Sequence, residues 1–234
     1  MSVSRVKDVI LNQIMMEVIH GHNAIAVYMA ISEHSQALNE SHFRQTFGSL
    51  QQHAFDAFIL SICKLYEKSS KPNYSIPTTL KLLQKDSSKL GINIQNCLTL
   101  EQFIKDHVST EFTVQNQSHI ERIPELLLEY FFEECPRTPA RNQKELDMAL
   151  DALKVIRDKR VAHHEDIDLS SLSKTDFNGA TRLLAFAQTY VNIIGYGLFG
   201  FLQKGKAYPV SFAPSKSFLW PEMNRMIKLL EQGH

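Results

Sequence analysis

The sequence predicts an all-α protein, and three observations carry this prediction. Apolar residues recur at helical spacing along most of the chain, and no segment keeps the strict alternation of a half-buried strand. Only 9 glycines and 8 prolines interrupt the 234 residues. No internal repeat, low-complexity tract or long linker divides the chain. We therefore expect a single domain over residues 1–234, built as a helical bundle of about seven to nine helices.

Three helices are predicted in the first part of the chain. Residues 4–20 carry apolar side chains four positions apart, and Gly21 is expected to break or bend this helix before a second one at 22–38. Residues 41–68 carry the densest apolar stripe, including Phe55 and Phe58. Such a stripe is typical of a central core helix.

Turn and cap residues predict the remaining helices. After a loop-like stretch at 69–76, Pro77 suits the first turn of a short helix that reaches residue 85. Capping signatures open the next three helices, which are predicted at 99–108, 118–134 and 143–163. Two apolar or amphipathic helices follow, at 176–202 and 221–232.

Composition excludes several classes of protein. Basic and acidic residues number 25 each, so bulk charge cannot hold the chain on nucleic acid or an anionic membrane. The three cysteines lack CxxC spacing, which argues against a disulfide scaffold or a cysteine zinc site and favours a reducing compartment. The N-terminus lacks an apolar signal core, and the longest apolar run is too short to span a bilayer. We expect a cytoplasmic protein without a membrane segment.

One segment, RDKRVAHH, combines charge with an apolar helix face. The predicted helix 143–163 has an apolar stripe formed by Leu146, Ala149, Leu150, Leu153 and Ile156. Arg157 and Arg160 fall on the same stripe. Because an isolated buried charge is costly, each guanidinium needs an anion or a solvated cleft. It can pair with internal acids, extend to solvent, or bind phosphate.

A simpler interpretation of this segment remains open. Cations near a helix C-terminus stabilise the helix dipole by about 0.3–1 kcal/mol. In this interpretation the charged segment only stabilises the end of a helix, and the protein is a structural helical protein without a chemical site. Other sites have less support, because the histidines lack zinc-site spacing and neither a Rossmann nor a P-loop motif occurs. We therefore predict no metal and no cofactor.

The same segment resembles a known motif. Arg157 and His163 are separated by five residues and so match the R-x(4–6)-H motif of HEPN (higher eukaryotes and prokaryotes nucleotide-binding) domains. The string RDKRVAH is similar to the abortive-infection AbiU-type branch, whose motif reads RDK, two residues, then Ala-His. The order of helices is similar over about residues 5–200.

This resemblance implies an all-α homodimer with the motif residues of both protomers facing each other. Many members are metal-independent endoribonucleases of the phage-defence or toxin type. Arg157 would hold phosphate and His163 would transfer protons, with Arg160 and His164 in support. Asp158 would be the polar residue that often follows the motif arginine. Ribose 2′-OH would be the internal nucleophile of an RNA substrate.

Some features depart from the motif or leave alternatives open. A helical wheel places His164, rather than His163, beside Arg157, so either histidine is a candidate. Glu165 replaces a tyrosine found in HEPN toxins that partner nucleotidyltransferases modify, so AMP modification there is not expected. The acidic residues that directly follow the two histidines would repel RNA. The alternative function is a non-catalytic module that binds a nucleotide, RNA or a protein such as an antitoxin or regulator.

A basic run precedes the motif helix. It contains Arg137, Arg141 and Lys144. Such a run is commonly a solvated surface, but in an RNA-binding protein Arg141 and Lys144 would contact the phosphate backbone.

Overall fold

The described part of the chain is helical throughout its main elements. The computed structural model describes residues 8–67, 75–79, 143–158, 174–191 and 219–232. Its helices are α1 (Met15–Glu33), α2 (Ser35–Glu40), α3 (Arg44–Tyr66), α4 (Gln143–Arg157), α5 (Lys174–Tyr190) and α6 (Leu219–Gln232). A π-helical turn, Ile10–Ile14, leads directly into α1. None of these described residues lies in a strand, so the all-α prediction is confirmed.

Helices α1 and α3 form an antiparallel pair at the centre of the described fold. Lys64 near the end of α3 contacts Glu17 near the start of α1, whereas Gln51 near the start of α3 donates to Ser32 near the end of α1. Phe58 of α3 is completely buried, as is Val18 of α1. Each such side chain contributes about 1.5–3 kcal/mol through removal of its apolar surface from water.

Helix α5 packs across this central pair and is fixed by both aromatic and polar contacts. The Phe177 ring lies 5.6 Å from Tyr28 of α1 and 6.1 Å from Phe58 of α3, measured between ring centroids. The buried Tyr66 hydroxyl donates to the Leu183 carbonyl over 2.7 Å. Burial raises the pKa of the Tyr66 phenol, which therefore stays protonated and remains a donor.

The segment 75–79 is also attached to α5. Residues 76–79 are helical, which agrees with Pro77 in a first helical turn. Thr79 Oγ1 lies 2.6 Å from the Tyr190 hydroxyl and 2.9 Å from the Ile76 carbonyl. Because threonine has a single hydroxyl hydrogen, which the carbonyl can take, Tyr190 is the better donor to Thr79.

The predicted helix break at Gly21 is wrong, since α1 continues through this residue. A Cβ at Gly21 would lie 2.9 Å from Leu184 Cδ1 of α5 and 3.6 Å from Ser61 Cβ of α3. The absent side chain therefore lets three helices approach closely. The break falls at His34, whose φ of −104° and ψ of 16° depart from helical values.

Several other predicted boundaries agree with the structure. The core helix predicted at 41–68 is α3, and the closing amphipathic helix predicted at 221–232 is α6. Helix α4 begins at Gln143, as the capping signature predicts, and α5 begins two residues before the predicted 176. The helices predicted at 99–108 and 118–134 lie outside the described residues.

Helix α6 covers the end of the central pair where α1 finishes. Its Ile227 is fully buried and belongs to an apolar cluster with Ile31, Leu38 and Phe47. His34 Nε2 also lies 3.1 Å from Asn224 Oδ1. This arrangement leaves the opposite end, where α1 begins and α3 finishes, free of α6.

The segment Asn12–Glu33 is long and apolar enough to cross a membrane by length and composition alone. The core helix of a soluble protein meets the same criterion. Within the described fold, α1 packs against α3, α5 and α6. These contacts bury 44% of the apolar window.

One titratable side chain of α1, that of His22, is buried in its neutral form. The His22 side chain is 6% exposed, and burial lowers its pKa to about 4, although a hydrogen bond with Gln188 opposes that shift. His22 therefore stays neutral in the folded protein at physiological pH.

We expect Gly21→Ala to be less stable than the matched variant Gly48→Ala. Gly48 has no atom within 4 Å of an added Cβ, so alanine there should raise the free energy of unfolding by about 0.5–1 kcal/mol. At Gly21 the contact with Leu184 should cost about 1–3 kcal/mol and cancel that gain. Urea denaturation of both variants measures the difference. Equal stabilities would contradict the close contact.

We expect acid to destabilise the protein through His22. Between pH 6.5 and about 4 the unfolded chain binds a proton that the folded chain does not, so the free energy of unfolding falls as pH decreases. The loss between pH 7 and pH 5 should be about 2 kcal/mol. Urea denaturation at both pH values should show a smaller loss in His22→Gln. The exposed neighbour provides the control variant His20→Gln, which should behave like the wild type; an unchanged loss in His22→Gln would refute this origin.

Candidate functional site

Helix α4 places Arg157 at the edge of the core. Leu150, Leu153 and Ile156 are buried, as the apolar stripe in the sequence predicts, and α4 packs against α3 and α5 through them. Arg157 is the last residue of α4 and continues this stripe. Its side chain is 25% exposed, so the guanidinium lies at the boundary between core and solvent.

Two carboxylates hold the Arg157 guanidinium, and we call these three residues the Arg157 clamp. Arg157 Nη1 donates to Glu67 Oε1 over 3.2 Å. Its Nε and Nη2 both lie 2.8 Å from Asp158 Oδ1. Of the three arrangements that the sequence allows for this arginine, the structure contains the pairing with internal acids.

The clamp orients the guanidinium without using all of it. The hydrogen bond to Asp158 raises the pKa of Arg157, so the group stays positive at any physiological pH. The three nitrogen contacts involve three of the five N–H groups of a guanidinium. Glu67 is 41% exposed, and an ion pair so open to solvent contributes only about 0–1 kcal/mol. A phosphate oxygen can therefore compete with Glu67 for Nη1 at small cost.

Cys63 is a buried thiol close enough to Arg157 to be affected by its charge. The thiol is buried and free. Burial raises its pKa, and the opposing effect of the Arg157 charge does not reverse that shift. Cys63 therefore remains a protonated core thiol at neutral pH. Cys97 and Cys135 lie outside the described residues.

A cleft opens beside the clamp, where α1 begins and α3 ends. It has a volume of about 570 Å³, and Glu67 forms part of its wall. Its other polar lining residues are Asn12, Gln13, Glu17, His20 and Lys64. Lys64 Nζ donates to Glu17 Oε1 over 2.8 Å across this surface. Glu67 therefore belongs both to the cleft and to the Arg157 clamp.

Among the described residues, no group of three or more His, Cys, Asp or Glu side chains could hold a metal ion. The clamp itself offers two carboxylates already bound to a guanidinium. A carboxylate that pairs with a guanidinium has fewer free acceptor positions to offer a cation.

The structure brings together only part of the site that the sequence predicts. Arg157 and Asp158 are in contact, and the Asp158 carboxylate faces the arginine that the sequence assigns to phosphate. Lys144 lies in the first turn of α4. The other predicted site residues lie outside the described part of the chain, and these are Arg141, Arg160, His163 and His164.

Sequence reasoning missed Glu67 altogether. This residue follows the last turn of α3 and lies 90 positions before Arg157 in the chain. A single acid after a core helix carries no distinctive signal, so only the packing of α4 on α3 identifies it as a partner of the motif arginine.

Comparison with known protein families gives one match. Residues 8–201 match the HEPN_AbiU2 family model, described as AbiU2. No curated protein and no solved structure matches the chain. The matched region contains α1 to α5 and the Arg157 clamp, and it covers most of the 234 residues. The chain therefore belongs to the AbiU2 family of abortive-infection HEPN proteins.

Proposed function

We propose that the protein is a cytoplasmic, metal-independent endoribonuclease of the phage-defence type, with an active site formed between two copies of the chain. The observation that carries this proposal is the placement of Arg157, the arginine of the HEPN motif, at the end of α4 with a partly exposed guanidinium. The expectation of a two-fold assembly comes from the resemblance of RDKRVAH to the HEPN motif. An antitoxin or regulatory protein would be a further partner.

The reaction needs a base, an acid and a group that stabilises the developing negative charge. A base removes the proton of the ribose 2′-OH, which attacks the adjacent phosphorus. An acid then protonates the departing 5′-oxygen. Histidine suits both steps because its ordinary pKa lies near neutrality, and His163 is our first candidate with His164 second. Two symmetric copies would provide one base and one acid.

Arg157 would stabilise the charge that develops on the phosphorane oxygens. A preoriented donor is effective because no reorganisation is needed during reaction. Asp158 fixes the guanidinium through Nε and Nη2 and so acts as a positioning residue. Phosphate would replace Glu67 at Nη1. Arg160, Arg141 and Lys144 would contact neighbouring phosphates and set the salt dependence.

A second function is favoured by the same clamp. The two carboxylates outweigh the single positive charge of Arg157, which weakens its attraction for RNA. A non-catalytic module that binds a nucleotide, RNA or a partner protein needs the arginine but no turnover.

We expect the purified protein to cut RNA in the presence of EDTA. His163→Ala should abolish cleavage, and Arg157→Ala should lower the rate about 10²–10³-fold, as loss of a preoriented donor does. The exposed residues His53 and Arg225 provide matched controls, since His53→Ala and Arg225→Ala should leave the rate unchanged. Gel analysis of labelled RNA measures these rates. Binding that Arg157→Ala disrupts, without cleavage, would support the second function; neither binding nor cleavage would refute both.

We expect Glu67→Gln to strengthen RNA binding about two- to fivefold at low salt. The change removes the negative charge that competes with phosphate for Arg157, and exposed pairs of this kind are worth at most about 1 kcal/mol. Fluorescence anisotropy with a labelled RNA measures the affinity. Glu40→Gln, an exposed acid at the end of α2, is the control. Weaker binding in Glu67→Gln would mean that Glu67 positions the guanidinium and does not compete with phosphate.

A further inference from the structure

The cleft beside the Arg157 clamp has the size and lining of a small-molecule site. Its volume of about 570 Å³ falls within the roughly 300–1,000 Å³ range of ligand pockets. Met16 and Leu65 supply apolar wall, and Asn12 supplies an amide. A flat, partly polar ligand matches such a lining, because apolar side chains contact its faces and polar groups fix its edge.

Glu17 gives this cleft a specific polar requirement. One carboxylate oxygen, Oε1, accepts a hydrogen bond from Lys64. The other, Oε2, is buried and has no hydrogen-bond partner within the described part of the chain. The Glu17 side chain as a whole is 22% exposed. A buried acceptor without a donor is unfavourable, so a ligand that brings N–H groups would satisfy it.

Guanine carries the polar groups that complement this pair. Its Watson–Crick edge presents the O6 acceptor next to two donors, N1–H and N2–H. Lys64 would donate a hydrogen bond to O6. The Glu17 carboxylate has about four acceptor positions, so it could accept hydrogen bonds from both N–H groups of guanine and still accept the one from Lys64. Binding in this mode requires the Glu17 carboxylate to turn about its last torsion, which has a broad energy minimum, so that the buried Oε2 also faces the cleft. The other RNA bases offer a single N–H-bearing position on that edge.

The position of the cleft connects it to the proposed reaction. Glu67 lines the cleft and also contacts Arg157 Nη1, so a base in the cleft lies next to the group that would hold phosphate. We propose that this cleft binds a guanine base through Glu17 and Lys64. The inference rests on the proposed function, since it makes the cleft the base-selecting subsite of an RNA-binding protein.

Titration calorimetry with the four nucleoside 5′-monophosphates tests this subsite on the full chain. GMP should bind most tightly, because all four share the same phosphate and differ only in the base. Glu17→Gln keeps the shape of the side chain and should weaken GMP binding about ten- to a hundredfold, as loss of a bidentate base contact does. Lys64→Met, at a position 59% exposed, should also weaken GMP binding, and its exposure protects the fold.

Matched controls lie away from the cleft. Glu33→Gln at the other end of α1 and Lys228→Met on α6 change exposed residues of the same charge and should leave GMP binding unaltered. Thermal unfolding of each variant verifies the fold. Equal affinity for all four nucleotides, no GMP binding, or GMP binding that persists in both Glu17→Gln and Lys64→Met would overturn the subsite.

The same variants separate this inference from the proposed nuclease activity. GMP binding that depends on Glu17, in a protein that cuts no RNA, would retain the subsite and reject the nuclease. Cleavage of RNA without preference for guanine, together with GMP binding that Glu17→Gln does not weaken, would reject the subsite and retain the nuclease.

Discussion

The antiparallel contact between α1 and α3 is the constraint on which the rest of the described structure depends. It brings the start of one helix beside the end of the other, and so places Glu17 next to Lys64 and leaves Glu67 at the edge of the cleft. Helix α5 can lie across this pair because Gly21 has no side chain. Helix α4 then packs on α3 and α5, and this packing fixes the position of Arg157 at the end of α4.

A second consequence concerns how charge is tolerated at the edge of this core. Arg157 extends an apolar stripe, and the penalty for an unpaired guanidinium is met by two acids of different origin. Asp158 is its neighbour in the chain, whereas Glu67 comes from another helix. The local acid orients the arginine wherever α4 packs. The distant acid can pair with the arginine only while α4 packs against α3.

Periodicity and capping predicted much of the helical structure. The dense apolar stripe predicted α3, and the residues around Gln143 predicted the start of α4, because both signals are local. Gly21 was misjudged because its reason is a contact with Leu184, more than 160 residues away. For the site, the apolar stripe predicted that Arg157 needs an anion. It could not name Glu67, since pairing across 90 positions is decided by helix packing and not by spacing.

Helix α6 covers an apolar surface of the fold that the family match leaves open. Helix α6 lies beyond the matched residues 8–201, yet its Ile227 closes an apolar cluster that includes Ile31 and Phe47. A chain ending near residue 201 would expose this cluster to water at the pole remote from Arg157. We expect such a shortened protein to self-associate through the uncovered patch, while the end of the bundle that carries Arg157 stays intact.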